Sequence, residues 1–136
     1  MNIAIVVSEF NQEITSRMLN VAVEKAKELK LNIRYTCKVL GVFDMPLVID
    51  NLLKKDDVDA VITIGAIIKG QTKHDELIAN AAAKALIDLS IKHKKPVTLG
   101  ITGPSMTDRQ AYARIRPVAE RAVEAAKKIA SELKKI

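Results

Sequence analysis

Aromatic residues are scarce in this 136-residue chain, which has no tryptophan, two phenylalanines and two tyrosines. It has a single cysteine, Cys37, inside an apolar run, so no intrachain disulfide can form; this predicts a reducing compartment and a buried thiol. No apolar run approaches the ~18 residues of a membrane span. The opening MNIAIVV also lacks the basic region of a secretory signal. These absences predict a cytoplasmic protein, and they make any exposed phenylalanine a candidate for a functional role.

The net charge of +6 indicates an anionic partner, but the basic residues are unevenly spread. Lysines cluster in KHKK (92–95) and in the C-terminal LKKI, both at predicted helix ends, where cations complement the helix dipole. A nucleic-acid site needs a coherent basic face with interleaved aromatics, which neither cluster has. The clusters, including His93, are therefore interpreted as solvated surface, with neither a nucleic-acid nor a membrane partner.

Four short apolar runs alternate with helical patterns along the chain. This alternation predicts a single α/β domain over residues 1–136, an open parallel sheet of about four strands with helices on both faces. The runs are IAIVV (3–7), IRYTCKVL (33–40), AVITIG (60–65) and PVTLGIT (96–102).

The helical patterns predict which side chains face the core. Apolar residues 14, 18, 21, 22 and 29 mark one face of the first helix, and Leu77, Ala81, Ala85 and Leu89 mark a face of the third. The last helix is predicted to begin near Thr107 and to be kinked or restarted at Pro117.

Ligands of such sheets bind beyond the carboxyl ends of the strands, so the segments after each run are the candidate site. These segments are SEFN, GVFDMP, GAIIKGQTKH and ITGPSM. Both phenylalanines, Phe10 and Phe43, fall on this rim. They could plug the end of the core, but two of two on one rim favours stacking on a planar ligand.

The stretch GAIIKGQTKHDE (65–76) resembles a phosphate-binding loop without its lysine, since Gln71 occupies that position. Thr72 and Asp75 match a capping box, which predicts a helix that starts at Thr72. Free backbone N–H groups at this positive end can hold an anion smaller than a nucleotide, and a plain helix start is the alternative. His74 lies in the first turn, where the helix field favours neutral imidazole, a base; a surface histidine is the alternative.

The segments SEFN, GVFDMP, GAIIKGQTKHDE and VTLGITGP, followed by QAYARIR, resemble the 6,7-dimethyl-8-ribityllumazine synthase family in its archaeal form, in order along essentially the whole chain. The resemblance implies a flavodoxin-like subunit and a cofactor-independent, metal-free transferase. It implies condensation of 5-amino-6-(D-ribitylamino)uracil with 3,4-dihydroxy-2-butanone 4-phosphate, the penultimate step of riboflavin biosynthesis.

The resemblance also implies roles for residues of the first three rim segments. Phe10 would stack on the pyrimidinedione, Asn11 would hydrogen-bond its edge, and Asp44, in place of the commoner glutamate, would accept from ribityl hydroxyls. Gln71 and Thr72 would hold the butanone phosphate. The remaining wall residues would be Val42, Phe43, Ala66, Ile67 and Ile68.

His74 would be the catalytic residue that moves protons during imine formation, phosphate elimination and ring closure. Leu99 and Arg114 match positions that a neighbouring subunit supplies in the family, which implies an active site at a subunit interface. Arg114 would pair with the phosphate, with Arg116 as the alternative. Leu99 replaces a frequent phenylalanine, and a lysine common in the family falls near Glu120.

The resemblance implies a homopentamer or a sixty-subunit shell. The chain begins at its first predicted strand, without the extension that many members add to a neighbour's sheet, and the two assemblies stay open. A non-catalytic lumazine or flavin carrier is the alternative function; it would use the aromatic pocket without needing His74 or Arg114.

Overall fold

Strands and helices alternate along the chain as the sequence predicts. The computed structural model describes residues 1–70 and 73–136. The strands are β1 (Asn2–Ser8), β2 (Asn32–Val39), β3 (Ala60–Ile68), β4 (Val97–Thr98) and β5 (Ile101–Met106). The helices are α1 (Gln12–Glu28), α2 (Met45–Leu53), α3 (His74–His93), α4 (Asp108–Ala113) and α5 (Ile115–Leu133), and a single 3₁₀ turn, Val42–Asp44, precedes α2.

All the described strand pairs are parallel, and the order is β2-β1-β3-β4. β5 pairs with the carboxyl half of β3, next to β4 along the same edge. This is the flavodoxin-like strand order, in which the crossovers place helices on both faces. The predicted α/β fold is confirmed, with five strands in the described part of the chain where about four were expected from strand–helix alternation.

The fifth strand arises because the predicted strand 96–102 is interrupted at Gly100. The Thr63 hydroxyl donates to the Thr98 carbonyl oxygen at 2.7 Å and accepts from the Gly100 N–H at 3.1 Å. A Cβ at residue 100 would collide with the Thr63 carbonyl oxygen. The backbone is therefore pressed onto β3 at this point, and regular pairing resumes only at Ile101.

The third strand is longer than the predicted run 60–65, because β3 continues to Ile68. Gly65 and Ala66 pair with residues 101 and 102 of β5, and Ile68 pairs with Met106. Ala66 and Ile67 are buried. Strand pairing and burial thus explain why this segment of the candidate site is apolar.

Two hydrophobic clusters cover the faces of the sheet. On one face, Ile3, Ile5 and Val7 of β1 pack with α1 and α5. On the other, Ala4 and Val6 pack with α2 and α3. The predicted face of α1 is confirmed, because residues 14, 18, 21 and 22 are buried and Leu29 packs against the first cluster.

The predicted inner face of α3 is wrong in its first half. Leu77 is 64% exposed and Ala81 is also exposed, whereas Asp75, Ala82 and Leu86 are buried. The helix carries apolar residues on more than one side, so periodicity alone does not identify the buried face. Apolar side chains of α3 consequently face outwards in the isolated subunit.

Two further predictions concern Thr107 and Cys37. The Thr107 hydroxyl caps α4 by accepting from the Gln110 N–H at 3.2 Å, and a separate helix, α5, restarts at Ile115 with Pro117 in its first turn. Both agree with the predicted start and restart. The Cys37 thiol is half-buried instead of buried, since it lies on β2 at the edge of the sheet.

Candidate functional site

A pocket of about 440 Å³ opens beyond the carboxyl ends of β1, β2 and β3, against the first turn of α3. Its position matches the rule for parallel open sheets. Predicted site residues on its wall are Phe10, Val42, Phe43, Asp44, Ala66, Ile67, Ile68 and His74. Three segments that are distant in sequence therefore meet at one concavity.

The two phenylalanines stand at the mouth of this pocket. Phe10 is 70% exposed and Phe43 is 69% exposed, so neither plugs the core of the subunit. Exposed phenyl rings are costly in water unless a ligand or partner covers them. Their shared position leaves two aromatic faces available for a planar ligand, as the sequence predicts.

The turn after β2 is held by Asp44. Its Oδ2 accepts from the Gly41 N–H at 3.0 Å, and the Asp44 N–H donates to the Gly41 carbonyl oxygen at the same distance. A carboxylate has further lone pairs, which can accept hydrogen bonds from a hydroxylated ligand. Asp44 is thus fixed in place at the pocket with acceptor capacity remaining.

Asn11 does not line the pocket. Its backbone is left-handed, with φ 61°, and its side-chain Nδ2 donates to the Ala66 carbonyl oxygen at 2.8 Å. The residue therefore ties the start of α1 to the end of β3. Its predicted hydrogen bond to the ligand edge stays a prediction.

The first turn of α3 brings His74 to the pocket, with Lys73 preceding the helix. The predicted helix start at Thr72 and its capping box with Asp75 involve a residue outside the described ranges, and α3 is described from His74 onwards. The Asp75 Oδ2 accepts from the Ser105 N–H at 3.0 Å. Gln71 and Thr72, predicted to hold a phosphate, lie outside the described residues. The helix is long enough for its dipole to favour an anion at this end.

Leu99 and Arg114 lie away from the pocket of their own chain. Leu99, between β4 and β5, is 49% exposed, and Arg114 is exposed between α4 and α5. Among the ion pairs of the described residues, Arg116 takes part in one, with Glu120 at 3.7 Å, whereas Arg114 takes part in none. The pocket of a single subunit therefore does not contain Leu99 or Arg114.

Sequence reasoning missed several lining residues. Gly41 opens the predicted rim segment GVFDMP, but no role was predicted for it, and Leu40 immediately precedes it after the end of β2. Ile78 follows His74 by four positions, which is the spacing of one helix face. The full set of additional lining residues is Ser8, Leu40, Gly41, Gly70, Asp75 and Ile78.

His93 has a structural partner at the far end of α3. Its Nε2 lies 2.7 Å from Asp50 Oδ1 on α2, and Lys54 Nζ lies 3.2 Å from Asp50 Oδ2. The hydrogen bond with His93, followed by that with Lys54, lowers the pKa of the Asp50 carboxyl to about 2. The cluster joins α2 to α3 away from the pocket. The His93 side chain is only 12% exposed, so the interpretation of this residue as solvated surface is wrong: it is packed against α2 through its bond with Asp50.

In residues 1–70 and 73–136, no group of three or more His, Cys, Asp or Glu side chains is arranged to bind a metal ion. No helix in them has the length and apolar character needed to cross a membrane.

Fold and pocket define a class, the flavodoxin-like α/β proteins with an aromatic-rimmed ligand site at the carboxyl edge of the sheet. The family model described as 6,7-dimethyl-8-ribityllumazine synthase matches residues 1–135. The chain belongs to the 6,7-dimethyl-8-ribityllumazine synthase family.

Similar proteins span nearly the whole chain. A 6,7-dimethyl-8-ribityllumazine synthase of Sulfolobus acidocaldarius is 49% identical over 135 residues, which cover 99% of this chain and 85% of the relative. One of Saccharolobus islandicus is 52% identical over 134 residues, covering 98% and 87%. One of Pyrobaculum arsenaticum is 49% identical over 132 residues, covering 97% and 88%.

Proposed function

We propose that the pocket between Phe10 and His74 is the site at which this enzyme condenses its two substrates. The reaction joins 5-amino-6-(D-ribitylamino)uracil to 3,4-dihydroxy-2-butanone 4-phosphate and gives 6,7-dimethyl-8-ribityllumazine, the penultimate step of riboflavin biosynthesis. The chain is a transferase of this pathway, as its family membership and its relatives indicate. The observation that carries the site assignment is the meeting of two exposed aromatic rings with one histidine at a helix start.

The pyrimidinedione is placed on the Phe10 side of the pocket. A phenyl ring that is 70% exposed offers a face for stacking, and the turn residues Val42 and Phe43 line the same pocket. Ala66, Ile67 and Ile68 supply an apolar floor from β3, with the Asp44 carboxylate in reach of ribityl hydroxyls. Asn11 is proposed to contact the ring edge or to hold the floor in place through Ala66.

The butanone phosphate is placed at the start of α3, with Gln71 and Thr72 as its ligands from this chain. A helix N-terminus favours an anion through its dipole and its free N–H groups.

An amine that attacks a ketone forms an imine with loss of water, so protons move between nitrogen and oxygen at each stage. His74 is proposed to carry these protons as general acid and base.

The rest of the site is proposed to come from a second subunit. The family works as an oligomer on small-molecule substrates. Leu99 and Arg114 are exposed on this subunit, as are the apolar side chains of Leu47 and Leu77. Exposed apolar side chains of this size are typical of subunit interfaces. We propose a pentamer or a sixty-subunit shell in which Arg114 of one subunit pairs with the phosphate held by the next.

Light scattering tests the assembly. A mass of at least five chains is expected, and turnover should disappear on dilution to single subunits. A fully active monomer would contradict the interface and the role of Arg114.

We further propose that residues 1–136 form one domain and that the enzyme works in the cytoplasm.

Incubation with both substrates tests the reaction itself. Lumazine fluorescence should appear with time, and omission of either substrate should abolish it. A carrier would instead copurify with a yellow ligand and show no turnover. That outcome would leave the pocket in place and remove His74 from catalysis.

A further inference from the structure

Asp75 is a charged residue in an unusual position. It directly follows His74 in the first turn of α3, lines the pocket, and is only 8% exposed. Aspartate is seldom buried to this degree unless its carboxylate is paired. Its Oδ2 accepts a hydrogen bond from the Ser105 N–H at 3.0 Å, which joins α3 to β5.

The part of β5 that contains Ser105, the hydrogen-bond partner of Asp75, is held firmly to β3. Ser105 has a left-handed backbone, with φ 58°, and the Lys69 N–H donates to the Met106 carbonyl oxygen at 2.7 Å. Gly103, with φ 105°, packs so closely on Ile67 that a Cβ at residue 103 would collide with the Ile67 carbonyl oxygen. The N–H that Asp75 binds therefore belongs to a segment whose position relative to the pocket floor is set.

We propose that Asp75 is a positioning residue, which fixes the first turn of α3 to β5 and thereby sets where the His74 imidazole stands over the pocket floor. The inference rests on the proposed function of His74. Asp75 acts as a hydrogen-bond acceptor at a defined distance, and its charge is secondary. A displacement of a catalytic group by about 1 Å can lower a rate by about 10²-fold, so a lost tether has a kinetic effect without loss of ligand contacts.

Two conservative variants separate position from charge. Asp75→Asn keeps an acceptor oxygen at the same reach and removes the charge, while Asp75→Glu keeps the charge and moves it by one methylene. A positioning role predicts that Asn retains kcat within about threefold and that Glu loses about 10-fold or more. A role through charge on the imidazole predicts the reverse order and a shifted pH profile for Asn.

The measurements are kcat, both KM values, the pH profile of kcat, and the affinity for a pyrimidine substrate analogue. Asp75→Glu should lower kcat with analogue affinity unchanged, because the Phe10 side of the pocket is not tethered by Asp75. Glu76→Ala, an exposed neighbour on the same turn, is the matched control and should behave as wild type. Thermal unfolding checks that each variant is folded.

The outcomes distinguish this inference from the proposed function. If wild type makes no lumazine, or His74→Ala retains full kcat, the proposed function fails. If His74→Ala is impaired but the Asp75 variants match wild type in kcat, only the positioning role is overturned. It is equally overturned if Asp75→Asn is the more damaged variant, or if both variants lose stability with kcat unchanged.

Discussion

The side-chain amide of Asn11 donates to the carbonyl oxygen of Ala66 across the end of the sheet, at 2.8 Å. This bond joins the turn that carries Phe10 to the strand that forms the pocket floor. Asn11 also starts α1, since its carbonyl oxygen accepts from the N–H groups of Ile14 and Thr15 at 3.0 Å each. One residue thus sets the spacing of two pocket walls that are far apart in the chain.

Two replacements of Asn11 should distinguish the contribution of its side-chain hydrogen bond to stability from that of its left-handed backbone. Asn11→Gly tolerates φ 61° and loses only the amide bond, with an expected loss of about 1 kcal/mol in the free energy of unfolding. Asn11→Ala adds a left-handed penalty of roughly 1 kcal/mol or more. Urea unfolding of both variants measures the difference. Equal stability of the two would contradict the role of the left-handed turn.

Phe10→Ala should weaken binding of a pyrimidine substrate analogue by roughly 1–3 kcal/mol, the scale of base–aromatic stacking. Titration of the analogue measures this. Leu133→Ala, an exposed apolar residue near the end of α5 and outside the pocket of Phe10, is the control and should leave the affinity unchanged. An unchanged affinity in Phe10→Ala would mean that the ring does not contact the pyrimidine.

His74→Ala should mainly lower kcat, by about the 10²–10⁴ that a general acid–base contributes. The effect is smaller to the extent that imine formation and phosphate elimination proceed without an enzyme. Steady-state kinetics with both substrates measures it. A raised KM for the butanone phosphate at intact kcat would instead identify His74 as a phosphate ligand.

Arg114→Ala should raise the KM for the butanone phosphate and leave pyrimidine affinity unchanged. Hydrogen bonds to charged groups contribute about 1.5–3 kcal/mol, so an increase of about 10- to 100-fold is expected. Arg116→Ala is the matched control, because the Arg116 guanidinium is paired with Glu120. If Arg116→Ala proved the damaging change, the phosphate contact would lie two residues further along the chain.

Acidification should weaken the tie between α2 and α3. Hydrogen bonds with His93 and Lys54 lower the pKa of Asp50 from its ordinary value of 3.8 to about 2. The folded state therefore binds the proton less well, and the pair stabilises the fold above pH 3.8 and loses this contribution as the pH falls towards 2. Asp50→Asn should be less stable than wild type near neutral pH and should approach it on acidification, as followed by thermal unfolding. Asp88→Asn, which breaks only an exposed pair with Lys84, should show a smaller difference at every pH.

Strand–helix alternation and the rim rule predicted the order of elements and placed Phe10, Phe43 and His74 at one edge of the sheet. These signals are local, since they follow from hydrophobic period and from where each strand ends. The end of the third strand was predicted too early, at Gly65, because the partner of the remaining residues, β5, lies far along the chain. A glycine within an apolar run locally indicates the end of a strand. Only the pairing with the distant β5 shows that the strand continues through Gly65.

Other features depended on contacts that no single segment reveals. The burial of Asp75 is compensated by the Ser105 N–H, a partner on β5 that the local capping pattern does not reveal. Leu77 is exposed because another side of α3 packs against the sheet. The placing of Leu99 and Arg114 rests on the family resemblance and on a neighbouring subunit, and it stays a prediction.

Gly100 and Gly103 have a consequence for how this sequence can vary. Any side chain at either position would strike a carbonyl oxygen of β3, at Thr63 or at Ile67, on the strand that forms the pocket floor. Neither glycine lines the pocket, yet a side chain at either position would displace β3 and so change the shape of the pocket floor. In a saturation library selected for riboflavin synthesis, these two positions would accept no replacement, while the exposed Leu133 near the end of α5 would accept many. Mutational tolerance around the pocket is thus governed by the backbone that supports it as well as by the residues that face the substrates.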